Sequence, residues 1–226
     1  MDQTKINCSL ILILVTIICC GQETKKKTKS IGKLTESFYV LKSDVNVKHG
    51  DYVLRSYGNV IEKGNYEMNK KYGIWEFYDF FGGLVSKYDF SNDTLVYKYI
   101  NDQFNVIQTF ATSYLAEING EFVESKLEAE PTMKGGLTRY YNYIFGSLIY
   151  PMAAKSKGVQ GVVYISALIT KDGQLIEEEI VQGLGYGCDE AALKAIQTVP
   201  DEWIPAKFQG EPVTVRAILT VSFKLG

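Results

Sequence analysis

A chain of 226 residues holds one large domain or two small ones. Its apolar fraction of 46% is ordinary for a globular protein, and a formal net charge of −2 gives no reason to expect nucleic acid as a partner. Sixteen tyrosines and eleven phenylalanines favour β-rich structure.

Cys8, Cys19 and Cys20 lie in the first twenty residues, so Cys188 is alone in the body of the chain and has no intramolecular disulfide partner there. Lys5 precedes an apolar run from Leu10 to Ile18, followed by Cys19-Cys20-Gly21-Gln22. The run is shorter than the ~20 apolar residues of a membrane-spanning helix. It suits the ~7–15-residue apolar region of an export signal. An uncleaved or interfacial anchor is the competing reading. The ending resembles a bacterial lipoprotein signal, in which aliphatic residues and a small residue precede the cysteine that receives the lipid. That resemblance implies an export signal over residues 1–19, lipidation of Cys20 and anchorage to a membrane, with burial of lipid methylenes giving ~0.8 kcal/mol each. Cys19 stands where Gly, Ala or Ser is usual and is a second candidate. Residues 20–37 then read as a lipidated tether: Gln22 to Ser30 has no apolar periodicity and carries Lys25, Lys26, Lys27 and Lys29. The lysines suit a solvated spacer or, alternatively, attraction to anionic head groups at ~1 kcal/mol each.

A degenerate repeat follows. Gly50 and Gly73 are 23 residues apart, as are Tyr52 and Trp75, and Tyr66 and Tyr88 are 22 apart. A period of this length means stacked supersecondary units. Alternating aromatics with Gly or Asn-Lys at the turns make each unit a hairpin. The pattern resembles MORN-like repeats, over about two and a half copies, and the repeat region is drawn as residues 38–128. Its aromatic face reads as core, with a ligand or peptide groove as the other reading. The stretch from Val106 to Leu115 is strand or short helix; periodicity does not decide. Asn119-Gly120 is a turn, and the linker ends at Pro131.

The C-terminal unit, residues 129–226, builds up in order. Leu137, Tyr140, Tyr141, Ile144 and Leu148 predict an amphipathic helix from Leu137 to Tyr150, ended by Pro151. Met152 to Lys157 makes one more turn, closed by Gly158. Gly161–Thr170 and Leu175–Gln182 are strands joined by a hairpin at Lys171-Asp172-Gly173. Asp189 to Val199 is a helix with acidic residues in its first turn and Ala192, Leu193, Ile196 and Val199 toward the sheet. Val213, Val215, Ala217, Leu219, Val221, Phe223 and Leu225 are apolar at every second place, the clearest strand in the chain. The predicted fold is α+β: a three-stranded antiparallel β-β-α-β sheet, order second-first-last, with helices on one face, preceded by the hairpin-repeat region. The final strand then lies at an edge, where unpaired N–H and C=O groups accept an extended peptide or another copy of the chain.

The segment Gly135–Leu225 resembles the C-terminal domain of TonB-type energy transducers. Its motifs are Gly135-Gly136, Tyr150-Pro151, Gly158-Val-Gln-Gly161, Val163-Tyr164, Lys171-Asp172-Gly173, Gly183-Leu184-Gly185, Asp189-Glu-Ala-Ala192, Trp203-Ile-Pro205, Gly210-Glu-Pro-Val213 and Phe223-Lys-Leu225. The resemblance implies a periplasmic domain that binds a short strand of an outer-membrane receptor by β-pairing. Partner contacts are therefore assigned to Val213, Val215, Arg216, Leu219, Thr220, Val221 and Phe223. The chain departs from those transducers in lacking a full membrane helix at its start and any proline before Pro131.

No catalytic residue, metal ligand or cofactor is assigned. His49, the single histidine, reads as part of a repeat turn. Cys188 has no histidine near it in sequence, and Glu177-Glu178-Glu179 lacks the loop pattern of a calcium site. The sequence reads as a non-enzymatic, periplasm-facing envelope protein, lipid-anchored to the outer membrane, whose partner is an extended strand of an outer-membrane receptor or other envelope protein. Two alternatives stand beside it: a transducer component with an uncleaved anchor, and a structural protein that forms a homodimer by pairing its edge strand.

Overall fold

The computed structural model describes residues 22–99 and 111–225. Cys20, the signal-like segment and residues 106–110 lie outside them. Seven strands form one antiparallel meander in chain order: β1 (Thr24–Ile31), β2 (Leu34–Leu41), β3 (Lys48–Ser56), β4 (Asn59–Glu67), β5 (Lys70–Tyr78), β6 (Leu84–Asp89) and β7 (Thr94–Lys98). After a gap come β8 (Ala111–Ile118), β9 (Glu121–Val123) and β10 (Thr132–Met133). Helices α1 (Leu137–Ser147) and α2 (Met152–Lys157) precede β11 (Gly161–Ile169), β12 (Leu175–Gln182) and α3 (Cys188–Ile196). The chain closes with β13 (Trp203–Ile204), β14 (Ala206–Phe208), β15 (Glu211–Val213) and β16 (Val215–Phe223).

The repeat period becomes hairpin geometry. Tyr57-Gly58 turns β3 into β4 with φ of 50° and 89°, and Met68-Asn69 turns β4 into β5 with 48° and 68°. Paired positive φ values match the twist of the flanking strands. The repeat partners Tyr52 and Trp75 occupy equivalent buried positions on β3 and β5. Gly64, opposite Tyr52 on β4, makes room for the indole: a Cβ there would lie 2.3 Å from Trp75 Cδ2. Trp75 donates its ring N–H to Asn65 O at 3.1 Å and meets Tyr66 edge-on at 5.2 Å. His49 lies within strand β3, not in a turn.

The lysine-rich stretch is not a tether throughout. Thr24–Ile31 is an edge strand paired with β2 over eight consecutive positions, from Thr24↔Leu41 to Ile31↔Leu34. Charged side chains are compatible with an edge strand because most of them face water here, and lysines there discourage edge-to-edge aggregation. Hydropathy alone therefore reads such a strand as a linker.

The C-terminal sheet has five strands in the order β12-β11-β16-β8-β9, where three were expected. The neighbours β12, β11 and β16 follow the β-β-α-β reasoning. The added hairpin comes from the segment whose periodicity was ambiguous. Residues 111–123, counted with the repeats by sequence, thus belong to the second sheet. Val215, Ala217, Leu219, Val221 and Phe223 are all buried, the alternation expected of β16. Helix α1 ends at Ser147, three residues before the expected Tyr150, and α3 ends at Ile196. Gly158 closes α2 in the left-handed conformation at φ 65°.

The layers run repeat sheet, α1, α3, second sheet: α1 packs on β2, β3 and β5, and α3 on α1, β11 and β12. Gly146 lets α1 approach the repeat sheet closely, since a Cβ there would meet Leu34 Cδ2 at 2.4 Å and Ser56 Oγ at 2.8 Å. One continuous buried cluster joins Tyr52, Trp75 and Phe77 of the first sheet with Tyr140, Ile196, Val163 and Leu219 of the second unit. The change of sheet falls between β7 and β8, ahead of the boundary drawn near residue 129, and the core is shared across it.

Candidate strand-pairing site

Strand β16 is built by strict alternation, so its even positions face outward and its odd positions fill the core under α3. On one side β11 pairs with it without interruption from Gly161↔Phe223 to Ile169↔Val215. On the other side β8 pairs with Val215, Arg216, Ala217 and Leu219, through Ala116, Leu115, Tyr114 and Ala111. The expectation that the whole strand is an edge is therefore corrected. A chain-internal hairpin covers its first half, because an open row of backbone donors and acceptors is satisfied by whatever strand lies within reach. Among the described residues, no strand pairs with Thr220, Val221 or Phe223 on the side away from β11.

The residues assigned to partner contact separate accordingly. Val213 ends β15 and pairs with Ala206, apart from β16. Val215 and Leu219 are buried and flanked on both sides. Arg216 reaches across the outer face: its guanidinium lies 4.7 Å from the Phe122 ring centroid on β9 and donates to Ser166 Oγ at 3.4 Å. Thr220, Val221 and Phe223 occupy the half that no described strand covers on that side. Phe223 is buried edge-on against Tyr150, with centroids 5.3 Å apart.

A second feature escaped the sequence reading. Four charged side chains meet where the repeat sheet faces the C-terminal unit. Glu62 of β4 accepts from Arg139 Nε and Nη2, each at 3.0 Å, from Lys71 Nζ at 2.5 Å and from the Tyr143 hydroxyl at 3.0 Å. Glu202 takes Lys71 Nζ at 3.0 Å and Arg139 Nη1 at 2.8 Å. The Glu62 and Arg139 side chains are each 1% exposed. Burial opposes ionisation of Glu62, but Arg139 and Lys71 outweigh it and hold the carboxyl below its usual range. Burial beside Arg139 holds the Lys71 ammonium below its own. Lys71 and Glu202 of the cluster line a cavity of about 430 Å³ with Tyr52, Tyr66, Tyr143 and Thr198. The cluster's two acids and two bases satisfy one another, which makes it a bond between units. The pattern sees only exposed-type residues on β-strands; their burial depends on α1 arriving 77 positions later in the chain.

The groups weighed for chemistry stay apart. Cys188 is fully buried at the start of α3, where burial and the carboxylates of Asp189 and Glu190 push its thiol up, away from nucleophilic use. Among the described residues, no group of three or more His, Cys, Asp or Glu is placed to hold a metal ion. No helix among them is long and apolar enough to cross a membrane.

The fold defines an α+β protein in which a hairpin-repeat sheet and a β-β-α-β unit share one core. Residues 147–225, about a third of the chain, match the family described as Gram-negative bacterial TonB protein C-terminal. The match begins at the last residue of α1, so the Gly135-Gly136 motif and most of that helix lie outside it. Among solved structures, the chain is similar to the TonB C-terminal domain of Helicobacter pylori, determined in solution by NMR. Identity is 24% over 40% of this chain and 80% of that one, with a TM-score of 0.30. No curated protein matches the chain significantly.

Proposed function

We propose that this chain is a non-enzymatic cell-envelope protein whose C-terminal unit binds an extended strand of a partner protein by main-chain pairing along β16, in the service of outer-membrane transport. The observation that carries this reading is the TonB C-terminal match over residues 147–225. The uncovered half of β16, Thr220 to Phe223, supports it with a stretch of edge that has no described neighbour. Main-chain bonds supply affinity there, and alternate side chains supply selectivity.

The repeat sheet, of MORN type in this reading, is the platform that carries the unit. Lipidation at Cys20 completes the arrangement. Strand β1 begins at Thr24, so four extended residues put the first sheet within about 14 Å of the anchor. A lipid anchor without a spanning helix favours binding over force transduction.

The test is capture of partners by the exported protein, followed by amide exchange with and without the captured protein. Slowed exchange at residues 220–223 is the expected result. Protection confined to residues 24–98, with β16 unchanged, overturns the assignment and moves binding to the repeat sheet.

A further inference from the structure

The strand that covers the first half of β16 differs from β11, which flanks β16 on the other side. The β11–β16 ladder runs through nine consecutive pairs, whereas the β8–β16 ladder breaks between Ala217 and Leu219. Strand β11 sends Val163, Ile165, Ala167 and Ile169 into the core, each 0% exposed. From Tyr114 through Val123, only Ala116 is buried, at 1%. Tyr114 and Ile118 are half-buried against the core, and the chain turns back at Asn119-Gly120 into a β9 of only three residues. Stabilisation by burial scales with the apolar area removed from water, so this hairpin is held to β16 less firmly than β11 is on the other side.

Resting on the strand-pairing reading above, we infer that the β8–β9 hairpin is a resident occupant of the partner's slot. An incoming extended segment replaces it, and β8 itself is the template for that segment. The core-facing side chains of β8 read Tyr114, Ala116, Ile118. Ala116 sits opposite Val215, which is 0% exposed, so the position admits no larger side chain without displacing packed neighbours. The slot therefore takes an antiparallel strand of the form aromatic-x-small-x-aliphatic on its buried face. Pairing along the whole of β16, from Val215 to Phe223, then becomes available, where among the described residues only the second half has no neighbour on that side. The resident strand lowers apparent affinity by the fraction of molecules in which it is docked, and so sets a threshold that a weakly matching segment does not pass.

The probe is a labelled peptide of residues 111–123, read by fluorescence anisotropy against the full exported chain. Ala116→Asp in the chain places a charge in the dry slot and expels β8. The peptide is expected to bind this variant at least tenfold more tightly than the wild type. A peptide carrying Ala116→Leu is expected to bind the same variant at least tenfold more weakly than the native peptide. Equal binding to wild type and a folded Ala116→Asp chain overturns the inference, as does equal binding of the two peptides. Should Ala116→Asp fail to fold, amide exchange in the wild type decides: residues 114–117 must exchange at least tenfold faster than 163–169, and equal rates overturn it. These readouts involve no envelope partner, so their failure leaves the proposed docking at Thr220 to Phe223 untouched. Failure of the capture experiment, in turn, leaves the slot measurement standing.

Discussion

Arg139→Met tests whether the repeat sheet and the C-terminal unit stand or fall together. The wild-type guanidinium makes two bonds to Glu62 at 3.0 Å, donates to Lys134 O at 2.7 Å, contacts Glu202 at 2.8 Å and lies 4.7 Å from the Phe77 ring centroid. Methionine keeps much of the apolar stem but leaves Glu62, 1% exposed, with only Lys71 and Tyr143. Removing one member of a buried ion pair costs about 3–5 kcal/mol, chiefly as the penalty of the charge left behind. Domains of ordinary stability have about 5–15 kcal/mol in all, so the loss is large. In a chain of this size it lowers the melting midpoint by roughly 6–20 °C. Glu62→Gln added to Arg139→Met removes the stranded charge and is expected to restore part of the stability. The assay is urea unfolding followed through Trp75 in the first sheet and Trp203 in the second unit, separated by Trp→Phe variants. One coincident transition in the wild type, shifted together by Arg139→Met, is the expected outcome. A loss under about 1 kcal/mol, or separate transitions for the two tryptophans, would refute the reasoning and restore two independent folding units.

Further outcomes follow from the same contacts. Gly64→Ala drives a methyl into the fully buried Trp75 indole and is expected to cost about 1–3 kcal/mol, measured by the same urea titration, whereas Gly58→Ala meets no atom within 4 Å and suffers only from its φ of 89°. Stability is expected to fall as pH drops from about 4.5 toward 2. The bonds from Lys63, Lys87 and Tyr78 lower the Glu76 carboxyl to about 2, and Glu62 is likewise depressed, so both bind protons more readily in the unfolded chain. Their contribution is complete above the unfolded value and disappears through the folded one; an acid titration of the melting midpoint flat between pH 5 and 2 contradicts this. Labelled fatty acid is expected to enter the wild type and not Cys20→Ala, and equal labelling of the two moves the site to Cys19 or removes the anchor.

What the sequence determined was local. The strand alternation from Val215 to Phe223, the Lys171-Asp172-Gly173 hairpin, the α3 start at acidic residues and the 23-residue return of Tyr52 as Trp75 are each written within a few positions, because periodicities of 2 and 3.6 and the turn preferences of Gly and Asn act at that range. The family resemblance was legible for the same reason, as a run of turn and packing motifs in order. Three features depended on residues far apart in the chain. Thr24–Ile31 is a strand because Leu34–Leu41 pairs with it, and its lysines alone suggest a solvated spacer. Ala111–Ile118 is a strand because β16 offers it an unsatisfied edge, which its own mixed pattern does not announce. Glu62, Lys71, Arg139 and Glu202 are surface-type residues by composition and become a buried cluster only when α1 docks on the repeat sheet. Their charges are affordable inside only as a closed set, and no single segment contains that set. The sequence therefore located the strand on which partner binding is proposed; the tertiary structure decided that half of it is already occupied.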